Sequence, residues 1–197
     1  MKTYTKQTTV IQPRLIIRYD DDARNPREDG DNLGYWITCD RKHQSPDEHA
    51  ELEAIVKNTS EEADNQADHI RRIKKSVKNA LSEKVLAVYP VVKYDHSGVS
   101  YSLGTAQGWD YSNNGFYIIT DRTAKALGTA KKDFEQVIKQ EIETYNSWIN
   151  NEVYGFTLFN EQGEVIDSCW GFYDFEGIRE HLPKEWAKEN LNDYLIN

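Results

Sequence analysis

The spacing of apolar residues changes several times along the chain, and each change marks a new element. LIIRY, from Leu15 to Tyr19, is rich in β-branched and aromatic side chains and reads as a strand. Pro13 before it suits a strand start, bulge or edge, because it offers no amide donor. Tyr35, Trp36 and Ile37 open a second strand. The polar loop between the two carries the turn signals Asn25-Pro26 and Asp29-Gly30. Asp47 to Lys57 places Leu52, Ile55 and Val56 on one side of a short helix. Thr59 with Glu62 three residues later has the form of a capping box, which predicts a helix over 59–83. Ala63, Ala67, Ile70, Val77 and Leu81 recur along it at helical spacing. Its second half is crowded with Arg71, Arg72, Lys74, Lys75 and Lys78, which suits the negative end of the helix dipole.

Val85 to Tyr94 is a mostly apolar run that predicts a buried strand, with Pro90 requiring an edge, bend or bulge. The segment from Val99 to Ser112 alternates small, aromatic and polar residues, and GFYIIT, Gly115 to Thr120, predicts a strong strand. A short helical piece near Arg122 to Leu127 precedes a longer helix from Lys131 to Asn150. The longer helix carries Phe134, Val137, Ile138, Ile142 and Tyr145 on one stripe. VYGFTLFN and EVIDSCWGFY flank the turn Glu161-Gln162-Gly163 and make a β-hairpin, with Tyr154, Phe156 and Leu158 sharing a face. Two helical pieces, Phe175 to His181 and Lys184 to Leu195, form a tail. Strands interspersed with helices and an antiparallel hairpin predict an α+β fold: a mainly antiparallel sheet packed by the two longer helices. One domain over 1–197 is expected, with the 59–83 helix as an insertion and 174–197 as a helical tail.

Composition narrows what such a fold can do. With 33 acidic against 24 basic residues, the net charge of −9 opposes nonspecific binding to nucleic-acid backbones and suits a protein that meets basic surfaces. Cys39 and Cys169 give no disulfide framework, which points to a reducing cytoplasm. No run approaches a membrane span, and the N-terminus has no signal-peptide core. The protein is therefore expected to be soluble and cytoplasmic, with no membrane partner.

Five groups of residues carry candidate chemistry. Between Tyr19 and Trp36 lie six acidic side chains, among them Asp20, Asp22, Asp29 and Asp31, with Asn32 beside them. Such a loop must stay solvated, bridge internally to Arg24 and Arg27, meet a cation, or face a basic partner. As a Ca²⁺ or Mg²⁺ site it matches poorly: Asp29, Asp31, Gly34 and Asp40 fall at EF-hand-like spacing, but Leu33 stands where an oxygen donor belongs and the terminal glutamate is absent. Asp95, His96 and Ser97 have the residue types of a nucleophilic triad, although adjacency in the chain works against convergence. Cys39, His43 and His49 have metal-ligand chemistry without a zinc spacing. The basic half of the second helix is more consistent with a solvated face than with a nucleic-acid surface. Finally, Trp109, Tyr111, Phe116, Tyr154, Phe156, Trp170, Phe172 and Tyr173 are chiefly core material, although nearby glycines leave room for a pocket.

DNLG at Asp31 to Gly34, YDHSG at Tyr94 to Gly98, Trp109-Asp110 before GFYIIT, VYGF and DSCWGFY together resemble an uncharacterised family encoded by bacteriophages and mobile elements. The resemblance implies a small protein acting on host machinery. With the acidic charge, the expectation is a protein that binds rather than catalyses and inhibits a basic host protein of nucleic-acid processing or defence, with no cofactor. Its contact residues are expected among Asp20, Asp22, Asp29, Asp31, Asn32, Asp95, His96, Trp109, Asp110 and Trp170. Two alternatives stand beside it. One is a metal-dependent hydrolase or nuclease built on the loop aspartates, and the other a protein that sequesters a small ligand or nucleotide.

Overall fold

The strand β5, Tyr111–Thr120, is buried over its whole second half, and the reason lies in its neighbours. It pairs antiparallel with β2, Tyr35–Thr38, on one side and β3, Val85–Asp95, on the other; β4, Val99–Leu103, follows in the order β2-β5-β3-β4. Tyr117 and Ile119 point to one face of this sheet, where α4, Phe134–Ile149, covers them with Phe134, Ile138, Ile142 and Tyr145. Phe116 and Ile118 point to the other, covered by Leu52 and Val56 of α1, Ala50–Glu61, and Ile73 and Val77 of α2, Gln66–Leu81. Helices on both faces explain why the strand reads as a continuous apolar run. The computed structural model describes residues 14–28, 31–40 and 44–196.

Two details bear on the sequence reading of this unit, which spans Arg24–Asn150. Thr59 does not cap the second helix. It sits buried inside α1, its hydroxyl donating to the Ile55 carbonyl at 2.6 Å, and Asn65 caps α2 through the Asp68 amide at 3.0 Å. Threonine can bond backward to the preceding turn as readily as it can cap the next one. Pro90 takes the edge position expected of it, although β3 is an interior strand over its second half. The β4 ladder starts only at Val91. The Pro90 carbonyl accepts from Gly104 N at 2.8 Å, so its nitrogen faces the same side, just past the end of β4, where no ladder bond is due.

The β4 edge is closed by amide side chains from α4. Asn146 accepts from Tyr101 N at 2.8 Å and donates to Tyr101 O at 2.9 Å, as a neighbouring strand would. Asn150 donates to Val99 O at 2.8 Å. Short polar caps of this kind remove an exposed template for aggregation. α3, Asp121–Leu127, follows β5 directly behind a Thr120–Thr123 capping box.

The single domain expected over 1–197 is laid out as two compact units, the second formed by Met1–Ala23 with Asn151–Asn197. Its sheet runs β1-β6-β7, all antiparallel, from Arg14–Tyr19, Tyr154–Phe159 and Val165–Phe172. Leu15, Ile17, Phe156 and Leu158 share a core with Ile178 of α5, Phe175–His181, and with Leu182, Trp186 and Leu191. The hairpin closes as expected, with Gly163 at φ 83° and Asn160 accepting from the Gln162 and Glu164 amides. The helix expected from Lys184 to Leu195 is instead two 3₁₀ turns, Lys184–Trp186 and Leu191–Tyr194. Arg179 takes the carbonyls of Trp186, Ala187 and Glu189 at 2.9–3.2 Å, a side-chain clamp on the bend between the two turns. The fold is α+β, as expected, with two antiparallel sheets rather than one. The 59–83 and 174–197 segments supply core residues to their own units. Among the described residues no helix is long and apolar enough to cross a membrane.

Candidate binding surface and a buried charge centre

Register brings four of the expected contact residues together. Tyr94 pairs with Tyr111 across β3 and β5, and the Asp95 amide donates to the Asp110 carbonyl at 2.9 Å. This places the YDHSG turn against Trp109-Asp110. The Tyr94 and Tyr111 rings lie 5.1 Å apart, Tyr94 and His96 6.3 Å, and His96 Nδ1 is 3.5 Å from Asp110 Oδ1. Beneath them Lys93 is buried, its Nζ 2.5 Å from Asp40 and 3.3 Å from Asp95. Asp95 therefore balances a buried ammonium. The loop leading into β5 is fixed by Asn113, which exchanges two hydrogen bonds with the Ala106 backbone at 3.0 and 2.8 Å. On it, between Gly108 and Asp110, the Trp109 side chain is wholly exposed at 104%.

The triad reading of Asp95, His96 and Ser97 fails on partners. Asp95 faces Lys93, His96 faces Asp110, and the Ser97 hydroxyl donates to the His96 carbonyl at 2.7 Å. A base must reach its nucleophile and be oriented by a third group. Here the three engage different neighbours.

The acidic loop is split differently from its sequence reading. Asp20 and Asp22 belong to one unit and Asp31 and Asn32 to the other, while Asp29 lies outside the described residues. Asp20 caps its own turn, accepting from Asp22 N at 3.3 Å, and Asp22 and Asp31 face water. Among the described acids of the loop, none pairs with Arg27. Arg27 turns inward, its side chain 2% exposed, and grips Asp47 with Nε and Nη2 at 2.8 and 2.7 Å. Its Nη1 donates to Glu141 of α4, and Nη2 to the Gly34 carbonyl at 2.9 Å.

DNLG is the backbone of this centre. Asn32 donates to the Arg27 carbonyl at 3.0 Å, Leu33 N to Glu141 Oε1 at 2.9 Å, and Gly34 N to the Tyr117 hydroxyl at 3.1 Å. Tyr117 in turn donates to Glu141. A side chain at Gly34 would meet the Ile118 carbonyl oxygen and the Tyr117 ring inside contact distance. Burial disfavours the Arg27 charge, but the hydrogen bonds it donates to Asp47 and the fields of Tyr117, Asp47 and Glu141 outweigh it, so the guanidinium is held above its ordinary range. Burial likewise raises the Tyr117 phenol, against the opposing influence of Arg27.

No metal chemistry gathers here. Among the described residues no three His, Cys, Asp or Glu side chains are placed to hold an ion. Asp40 serves Lys93, His49 caps α1 by accepting from Leu52 N at 3.4 Å, and Cys39 Sγ lies 3.8 Å from the Glu53 carbonyl. Burial and Glu53 raise the Cys39 thiol, with Lys57 opposing, which disfavours the thiolate that a metal would need. His43 lies outside the described residues. On α2, Arg71 and Arg72 are tied to Asp68, and Arg72 also to Glu62 at 2.9 Å, while Lys74, Lys75 and Lys78 are exposed.

The aromatic set divides by depth. Phe116 and Phe156 are core residues of their units, and Tyr154 and Phe172 pack partly buried against the second core. Trp109 and Tyr111 are exposed in one unit; Trp170, 48% exposed, lies in the other, its indole flat over Gly155. The Arg27 centre is what sequence reasoning missed. One signal for it stands in α4, where Glu141 falls at helical spacing between the core positions Ile138 and Tyr145.

Comparison of the chain with protein-family models, curated proteins and solved structures returned no match. The fold and surface by themselves define an α+β protein that displays an aromatic and acidic patch at one end of a sheet.

Proposed function

We propose that this chain is an acidic accessory protein, of the phage or mobile-element kind its motifs resemble, that binds and inhibits a basic host protein of nucleic-acid processing or defence. The observation that carries the reading is Trp109, an indole held wholly in solvent two residues before Tyr111, whose ring packs on Tyr94 and, through it, next to His96. Large aromatic residues with a rigid base are the commonest anchors of protein interfaces, and they gain most when a partner desolvates them. Asp110 beside the anchor and the net charge of −9 suit a basic partner surface. The placement of Asp20, Asp22 and Asp31 gives no support to the metal-dependent hydrolase.

The test compares wild type with W109A and D110N in affinity capture from a bacterial host lysate, followed by direct binding and inhibition of the captured enzyme. Trp109 is wholly exposed, so W109A is expected to melt like wild type while binding about 30-fold more weakly, the effect of losing a hot-spot side chain. Capture that contains no nucleic-acid enzyme, or that is indifferent to both substitutions, overturns the reading.

A further inference from the structure

A cleft of about 550 Å³ opens above the Arg27 centre, in the unit Arg24–Asn150. Its volume falls within the usual range for small-ligand sites, roughly 300–1,000 Å³. The floor is the Arg27–Asp47 pair, and Tyr35, Tyr145 and Trp148 contribute aromatic wall. What it can hold follows from its charge.

Both of its guanidinium groups are already committed. Arg27 is matched by Asp47 and Glu141, while Arg122 lies 2.7 Å from Glu83 through Nε and also donates to the Tyr35 hydroxyl. Two further lining carboxylates, Glu28 and Glu48, are exposed at the rim. Among the described residues that line the cleft, three carboxylates, Glu28, Asp47 and Glu48, face two guanidinium groups that Glu141 and Glu83 also engage from outside the lining, leaving an excess of negative charge around an aromatic-walled space. Such a site repels phosphate and carboxylate groups. Asp47 still exposes 15% of its side chain and has acceptor capacity left after its bonds to Arg27 and the Trp36 amide. Aromatic faces beside carboxylates favour an organic cation over a bare ion, because the alkyl stem is desolvated against rings that also attract the charge.

We infer that this cleft binds an alkylammonium group. The group could belong to a free diamine or to a lysine side chain of a bound protein, and the chemistry of recognition is the same. The site is separate from the Trp109 surface and does not depend on its proposed role.

Calorimetric titration of the full chain at fixed ionic strength uses three probes: putrescine, N-acetyl-lysine amide and inorganic phosphate. Binding by putrescine or the lysine amide, and none by phosphate, is expected. A preference between the two amines identifies the source. The E28Q/E48Q double variant changes only exposed side chains, so it is expected to melt like wild type and to bind the amine about tenfold more weakly. W109A is expected to bind it unchanged, which separates this site from the proposed protein contact. Phosphate binding in preference to the amines, no amine binding, or equal amine affinity in wild type and E28Q/E48Q overturns the inference.

Discussion

Replacing Arg27 by Met is the most direct probe of the buried charge centre. The substitution keeps an apolar stem of similar length and deletes one cation that serves two carboxylates, a carbonyl and a phenol. Asp47 and Glu141 are only 15% and 16% exposed, so neither can be fully solvated in place. Breaking a buried pair from one side costs roughly 3–5 kcal/mol, and we expect about 4 kcal/mol here. Against a typical domain stability of about 5–15 kcal/mol this is a large fraction. With a urea m-value of about 2 kcal/mol/M, the unfolding midpoint should fall by about 2 M. The Trp36 amide, 2.6 Å from Asp47 Oδ2, offers a local reading by hydrogen exchange. Most of the loss comes from the abandoned carboxylates, so the triple variant R27M/D47N/E141Q should recover at least half of it. An R27M protein within about 1 kcal/mol of wild type, or a triple variant no more stable than R27M, refutes this account.

Two further outcomes follow from the same core. Burial pushes the Tyr145 phenol up to about 12 and raises those of Tyr101 and Tyr117 further. Above an ordinary phenol pKa of about 10 the unfolded chain loses these protons while the folded one keeps them. The contribution of these tyrosines to stability should therefore be constant below about pH 10 and fall as pH rises beyond it, for Tyr145 through about pH 12. Melting temperature against pH, with ultraviolet titration of phenolate, checks this; all tyrosines ionising together near pH 10 in a folded protein would contradict it. Gly34→Ala should destabilise by about 3 kcal/mol or more, because its Cβ presses on the Ile118 carbonyl, a backbone atom held in the β2–β5 ladder. A G34A protein with wild-type melting would show that the strands part without cost.

What the sequence disclosed and what it hid divide along one physical line. Elements whose signal is local were readable: the alternating hairpin around Gly163, the α4 stripe of Phe134, Ile138, Ile142 and Tyr145, and the apolar β5 run. Arrangements that depend on distant partners were not. Arg27 looked like a neighbour for Asp29 and Asp31 because charge is read along the chain, yet its partners are Asp47 and Glu141, brought to it by a helix and a loop. The division into two units rests on β1 pairing with β6 from the far end of the chain, a long-range ladder that no local pattern encodes. In the site, Asp95, His96, Trp109 and Asp110 were found as separate motifs, and the Tyr94–Tyr111 register is what joins them. Trp170 was grouped with Trp109 by residue type alone, and the two belong to different units.

The inward turn of Arg27 also bears on how the proposed protein contact would be made. By neutralising Asp47 and Glu141 in the interior, it leaves Asp31 of the loop facing water, and the basic residue is no longer available to cancel its field outside. A surface field of this origin acts over about 8 Å at physiological salt. It can orient a basic partner during approach but adds little once the two surfaces meet, because exposed charges are screened. Trp109 has the opposite character. Its indole carries no charge and contributes nothing at a distance, but it excludes water when covered, so its effect falls on dissociation. In the proposed contact Asp31 and the sheet-end aromatic patch, both in the unit Arg24–Asn150, are thus suited to successive stages of one encounter, the first sensitive to ionic strength and the second to the loss of a single side chain.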